Sequence, residues 1–165
     1  MCAFPVVVNT KTKGYIQVPC GQCISCRIEY QRTLNFAVTN ELQKQYRLKK
    51  GSSFVTLTYN DDQLPYLNTL KKEHLQRFMK RLRRRLEYHK VFNKDFKYIA
   101  VGEYGDQFGR PHYHVIFLGL SDNLINQHVR ECWRYGMSDI GSLRDGGVRY
   151  LIGYCTKSVK GKKVI

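Results

Sequence analysis

Residues 109–118 read Gly-Arg-Pro-His-Tyr-His-Val-Ile-Phe-Leu, and the fold turns on how this stretch is read. Its β-branched and aromatic run, opened by a proline, predicts a β-strand. Alternate side chains of a strand share a face. His112 and His114 then point one way, with Ile116 and Leu118 continuing their face, while Tyr113, Val115 and Phe117 point the other way. Two imidazoles side by side on a rigid strand are a start for a metal site. The plainer alternative is two ordinary polar residues at the beginning of a strand.

Working outward, Lys97–Glu103 (KYIAVGE) predicts a second strand. Tyr104–Pro111, which holds Gly105, Asp106 and Gly109, reads as a hairpin connection between the two. Such a hairpin brings Glu103 close to both histidines. Two imidazoles and one carboxylate leave coordination positions for phosphate oxygens and water, which suits Mn²⁺ or Mg²⁺ in phosphoryl transfer. Taken alone, Glu103 is an ordinary acid at a strand end.

The other elements follow from periodicity. Tyr15–Val18 and Phe54–Tyr59 predict strands, the latter central, and Gly136–Arg144 a last strand. A helix is expected over Arg27–Lys49, with an imperfect apolar stripe of Ile28, Leu34, Phe36, Val38, Leu42, Tyr46 and Leu48. A second helix, capped by Asn68–Thr69, has Leu70, Leu75, Phe78, Met79, Leu82 and Leu86 as its core stripe. A third, capped by Ser121–Asp122, is expected to run to about Tyr135 with Leu124, Ile125, Val129 and Trp133 inward, and a final helix covers Gly146–Lys160. Strands separated by long helices, with one clear hairpin, predict an α+β fold: a central antiparallel sheet of about five strands flanked by helices. Residues 1–30 form an N-terminal arm, and residues 31–165 the main domain, in one compact unit.

Charge and composition narrow the function. The chain has 165 residues, 28 Lys+Arg against 13 Asp+Glu, and a net charge of +15. Hydrophobic residues make up 42% and aromatic residues 13%, which argues for a folded chain. That excess of positive charge favours a nucleic-acid partner. The second helix carries much of it, and Arg81, Arg84, Arg85 and Arg110 are the candidate DNA contacts. A solvated basic face is the alternative. No segment reaches the roughly 20 apolar residues that span a bilayer, and the start, MCAFPVVVNT, lacks the basic region of a signal peptide. A cytoplasmic protein with reduced cysteines is therefore expected.

Three cysteines stand as Cys20-x2-Cys23-x2-Cys26, a spacing that points thiolates at one ion. Cys2 is the expected fourth ligand of a structural Zn²⁺ that pins the arm to the body. Metal-free thiols and an iron–sulfur cluster are the alternatives. Cys132 and Cys155 read as packing thiols.

The last motif is Tyr150-Leu-Ile-Gly-Tyr154-Cys-Thr-Lys157. On a helix, Tyr150, Tyr154 and Lys157 share one face. A phenol, with its reference pKa of about 10, becomes a nucleophile when a nearby cation stabilises the phenolate. Packing tyrosines are the alternative.

The three segments FVTLTY (54–59), GRPHYHVIFLG (109–119) and YLIGYCTK (150–157) together resemble the HUH endonucleases. The Tyr-x3-Tyr-x2-Lys pair is similar to that of replication initiators of single-stranded DNA phages of the Microviridae, and VPCGQCISCR (18–27) looks like the gokushovirus branch. One departure is Tyr113 between the two histidines. Another is length, since initiators of this kind continue past the tyrosine helix, so this chain is expected to be the nuclease portion. The resemblance implies a metal on Glu103, His112 and His114, with Tyr150 and Tyr154 as alternating nucleophiles and Lys157 steadying phosphate charge. The implied reaction is nicking and joining of single-stranded origin DNA, hairpin origins included, through a 5′-phosphotyrosine. The implied setting is rolling-circle replication with a host polymerase and helicase in the cytoplasm of the infected bacterium. Rival readings are a transposase or relaxase of a mobile element, a zinc-knuckle nucleic-acid-binding protein without chemistry, and a non-haem iron oxygenase, which explains neither the charge nor the tyrosine pair.

Overall fold

The structure is a computed structural model that describes residues 1–90, 96–105, 109–143, 147–148 and 152–153. Its elements are β1 (Val6–Thr10), β2 (Gly14–Val18), α1 (Ile24–Arg47), β3 (Ser52–Tyr59), α2 (Lys72–Tyr88), β4 (Lys97–Tyr104), β5 (Pro111–Leu118), α3 (Asp122–Cys132) and β6 (Gly136–Ser142). The α+β fold is as expected, but the main sheet has four strands rather than about five, in the order β4-β5-β3-β6 and antiparallel throughout. The fifth predicted strand, Tyr15–Val18, pairs instead with Val6–Thr10 in a separate two-stranded hairpin.

Strand β5 lies between β4 and β3, and its alternation sorts the core into two layers. Tyr113, Val115 and Phe117 join Val55, Leu57 and Tyr59 of β3 against Leu75, Phe78, Met79, Leu82 and Leu86 of α2 and Ile125, Val129 and Cys132 of α3. Each such apolar side chain taken out of water contributes about 1.5–3 kcal/mol. On the opposite face, Ile116 and Leu118 meet Val101 of β4, Val38 of α1, and Val148 and Ile152. Apart from Gly147, Val148, Ile152 and Gly153, which are helical, the predicted final helix lies outside the described residues.

The helices depart from expectation for local reasons. In α1 the face toward the sheet is Leu34, Val38, Leu42 and Gln45, at helical spacing. Phe36, two residues from both Leu34 and Val38, points away from them and is exposed, as are Ile28, Tyr46 and Leu48. Helix α2 begins later than Asn68–Thr69 predicts. Leu67 and Asn68 take left-handed backbone in a short 3₁₀ turn, and the Thr69 hydroxyl donates to Tyr66 O (2.9 Å). Helix α3 stops at Cys132, leaving Leu124 exposed, and Trp133 turns into the core to donate Nε1–H to Thr58 O (3.0 Å). Gly136 then admits β6 beside β3, because a Cβ there would lie 2.2 Å from Thr58 O.

Candidate metal centre

The register of β4 and β5 sets Glu103 opposite His112 and Val101 opposite His114. Alternation along β5 puts both imidazoles on one face, and the carboxylate reaches them from the neighbouring strand. Glu103 Oε1 lies 2.7 Å from His112 Nε2 and 3.3 Å from His114 Nε2. The rings meet edge to face with centroids 4.9 Å apart. Glu103 and His114 are buried, and His112 is partly so.

Each histidine is held through its other nitrogen. His112 Nδ1 lies 3.1 Å from Arg110 O, so an Nδ1–H donates to that carbonyl. His114 Nδ1 lies 3.0 Å from Thr56 Oγ1, on the strand opposite. Both rings therefore turn Nε2 toward the carboxylate, the arrangement by which outer partners fix the tautomer of metal-binding histidines. Burial pushes the pKa of His114 below its ordinary value, against the pull of Glu103, and so keeps it in the neutral form a metal needs. The three donor atoms lie within 4.8 Å of one another. Two neutral imidazoles and a carboxylate on a firm sheet fit a divalent ion.

Sequence reasoning misses Thr56, although its signal is available: it belongs to the alternating strand Phe54–Tyr59 and shares a face with the histidines once β3 and β5 pair. Tyr113 acquires a reason too. Its hydroxyl accepts from Lys71 N–H (2.8 Å) and donates to Lys71 O (2.9 Å), the N-cap residue of α2, which has no side-chain cap of its own. The residue between the histidines thus anchors α2 on the opposite face. Burial holds the phenols of Tyr113 and Tyr59 well above their ordinary range, so they remain neutral.

Beside His112, Thr58, Tyr59, Asn60, Asp61, Asp62, Arg110 and Met137 line a cleft of about 480 Å³. Arg110 donates to Tyr59 O (2.7 Å) and pairs with Asp61 at its edge. The other candidate DNA contacts lie on α2, across the sheet from the triad. Arg81 donates to Cys132 O (2.9 Å) and covers the Tyr135 ring, and Arg85 donates to His128 (3.2 Å) and pairs with Glu131, so both tie α2 to α3 and the segment after it. Arg84 is exposed. Tyr150, Tyr154 and Lys157 lie outside the described residues, as does Cys155, whereas Cys132 is buried as a packing thiol.

Cys2, Cys20, Cys23 and Cys26 form a second group, and their sulfurs also lie within 4.8 Å of one another. A backbone hydrogen bond from Ala3 leads the causes that lower the Cys23 thiol to about 6, whereas burial and then the Cys23 sulfur raise Cys26 to about 12.

The family model of the replication-associated protein ORF2 matches residues 52–159, a span that takes in β3, the triad and the tyrosine motif. The chain belongs to that family. It is 31% identical to replication-associated protein ORF4 of Chlamydia phage 1, over 87% of this chain and 41% of that protein. It is likewise 31% identical to replication-associated protein ORF2 of Spiroplasma virus 4, over 89% of this chain and 51% of that one. The chain thus spans about half, or less, of the length of these relatives. Among solved structures, it is similar to the hypothetical protein ORF119 from Sulfolobus islandicus rod-shaped virus 1, with a TM-score of 0.44 and 13% identity over 75% of this chain and 97% of that one. Membership of this family accords with the resemblance to phage initiators. Among the described residues, no helix is long and apolar enough to cross a membrane.

Proposed function

We propose that the chain is a metal-dependent endonuclease that nicks and rejoins single-stranded DNA to initiate rolling-circle replication of a phage genome. The observation that carries this reading is the meeting of Glu103, His112 and His114 on one sheet face, with Nε2 of both rings turned to the carboxylate. These residues would hold Mn²⁺ or Mg²⁺, which when bound supplies Lewis-acid polarisation of a phosphodiester. The fold contributes a firm floor, and the cleft beside His112 offers room for the strand, with Arg110 at its rim.

Tyr150 or Tyr154 is the nucleophile. Its oxygen bonds to phosphorus, the bond to the 3′ oxygen breaks, and the DNA is left with a 5′-phosphotyrosine and a free 3′-OH. Lys157 steadies the charge on the phosphate. A host polymerase extends the 3′-OH, aided by a host helicase. The second tyrosine then cleaves the regenerated origin, and the new 3′-OH attacks the first phosphotyrosine to close a circle. No ATP is consumed, because the phosphotyrosine conserves the bond energy. The packing of Val148 and Ile152 on the sheet face that carries the triad supports this reading, since Tyr150 lies between them in sequence. Residues 31–165 are taken as the nuclease and 1–30 as an arm. The expected setting is the cytoplasm of the infected bacterial host.

The test is incubation with single-stranded oligonucleotides from the cognate genome and Mn²⁺, followed by denaturing electrophoresis. A covalent protein–DNA adduct is expected. It weakens in Tyr150→Phe or Tyr154→Phe alone and vanishes in the double variant. An adduct that persists in the double variant overturns the nucleophile assignment. Tight DNA binding without an adduct under any divalent metal favours a binding module instead.

A further inference from the structure

The cysteine cluster is untouched by the nicking chemistry. Cys2 precedes β1, Cys20 follows β2, Cys23 is the N-cap of α1 and Cys26 sits in its first turn. Cys2 is distant in sequence from the other three, yet Cys2 Sγ and Cys23 Sγ lie 3.9 Å from each other. A tetrahedral ion with sulfurs at about 2.3 Å holds them about 3.8 Å apart. The pair already stands at the spacing one zinc imposes. It is far too wide for a disulfide, whose sulfurs sit about 2.05 Å apart. It is also tight for an iron–sulfur cluster, which interposes its own irons and sulfides among the thiolates.

The surroundings favour thiolates. Backbone N–H groups donate to sulfur: Cys20 to Cys2 (3.3 Å), Gln22 to Cys20 (3.5 Å) and Cys23 to Cys20 (3.4 Å). The N-terminus of α1 adds its partial positive charge, and no acidic side chain stands in its first turn to use it.

An independent observation comes from the hairpin. β1 and β2 form a sheet of their own, and none of their residues is buried. A lone two-stranded ribbon is marginal in water. Cys2 and Cys20 bracket this ribbon at its open end, and Cys23 and Cys26 belong to the helix beside it.

We propose that Cys2, Cys20, Cys23 and Cys26 bind one Zn²⁺ in a closed tetrahedral thiolate site, and that this ion fastens the β1–β2 hairpin to the N-terminus of α1. Four protein sulfurs leave no open position, so the ion is structural. Each thiol still protonated releases its proton to solvent as the zinc–sulfur bond forms. The inference shares no residue with the nuclease reading, and either can fail while the other stands.

The test uses the full chain. Elemental analysis of freshly purified protein should find one zinc per chain, retained in His112→Ala/His114→Ala and lost in Cys23→Ser. Cobalt loading should give the strong thiolate-to-metal charge-transfer band that nitrogen and oxygen ligands cannot give. Hydrogen exchange supplies the second readout. Stripping zinc from the wild-type chain with a chelator should speed exchange of the 6–18 amides by about tenfold or more, while β3 and β5 amides exchange as before. Those core amides also show whether a variant has folded. Iron with inorganic sulfide, or metal-free protein with reduced thiols, overturns the site. Bound zinc with hairpin exchange indifferent to its removal overturns the fastening role.

Discussion

Glu103, His112 and His114 stand on paired strands within a four-stranded sheet, whereas Cys2, Cys20, Cys23 and Cys26 stand on turns and a helix end beside an exposed ribbon. In the first group the ligands are placed by the fold. The ladder fixes the strands, Thr56 and the Arg110 carbonyl fix the rings, and two apolar layers hold the sheet firm behind them. In the second group little besides the sulfurs themselves draws the pieces together. The lesson is one of direction: the sheet makes the triad, and an ion at the cysteines makes the arm. A site of the first kind can release or exchange its metal without unfolding. A site of the second kind couples metal binding to folding.

The largest test of this contrast is in the core. Leu82 is fully buried between α2 and the sheet. Leu82→Ala should destabilise the main domain by about 2–5 kcal/mol, read from urea unfolding followed by the fluorescence of the single tryptophan, Trp133. The cobalt–thiolate band should not share that transition. Coincident transitions would mean that arm and sheet fold as one unit, and the contrast would break.

Next is Glu103→Gln, which keeps the shape of the side chain and removes its charge. Adduct formation should fall by at least roughly a hundredfold, the upper end of what losing even an outer partner costs a metal site. Zinc content and the Trp133 midpoint should hold. A variant that loses its zinc would show that the two groups are not separate.

Thr56→Val sharpens the idea that the sheet orients the ligands. It removes the hydroxyl facing His114 Nδ1 without changing bulk, and should weaken Mn²⁺ binding by about tenfold in a calorimetric titration. An unchanged affinity would mean that strand geometry alone positions the ring.

The smallest effect concerns pH. Burial leads the causes that lower the pKa values of His74, stacked on Tyr135, and of His128, which accepts from Arg85. The unfolded chain therefore binds protons first on acidification. Stability from these residues is present above about pH 6.5 and declines as pH falls through their lower folded-state values. The Trp133 melting midpoint should drop by about 2 °C or less between pH 7 and 5.5, and less so in His128→Gln. A midpoint that rises on acidification would contradict the assigned neutral state.

Much of the triad is legible in the sequence because a strand's period is short. Two histidines one residue apart in an alternating run share a face whatever the partner strand, and a glycine-bearing connection returns Glu103 to them. The cysteine spacing is equally local. The helices are harder to read. Apolar residues two apart in α1 cannot share a helical face, so Phe36 and Tyr46 are exposed although their composition suggests a core. The basic face of α2 reads as one surface, yet Arg81 and Arg85 are drawn into bonds with α3 that no local pattern announces.

By itself the sequence determined the strands, the His-x-His face, the cysteine knuckle and the positive charge, because each depends on neighbours within a few residues. Only the tertiary structure decided that Thr56 stands behind His114, that Tyr113 caps α2 across the sheet, that β2 leaves the main sheet to pair with β1, and that Cys2 reaches Cys23. Each of those depends on which strands and turns meet at long range, and that is settled by the burial of whole faces rather than by local pattern.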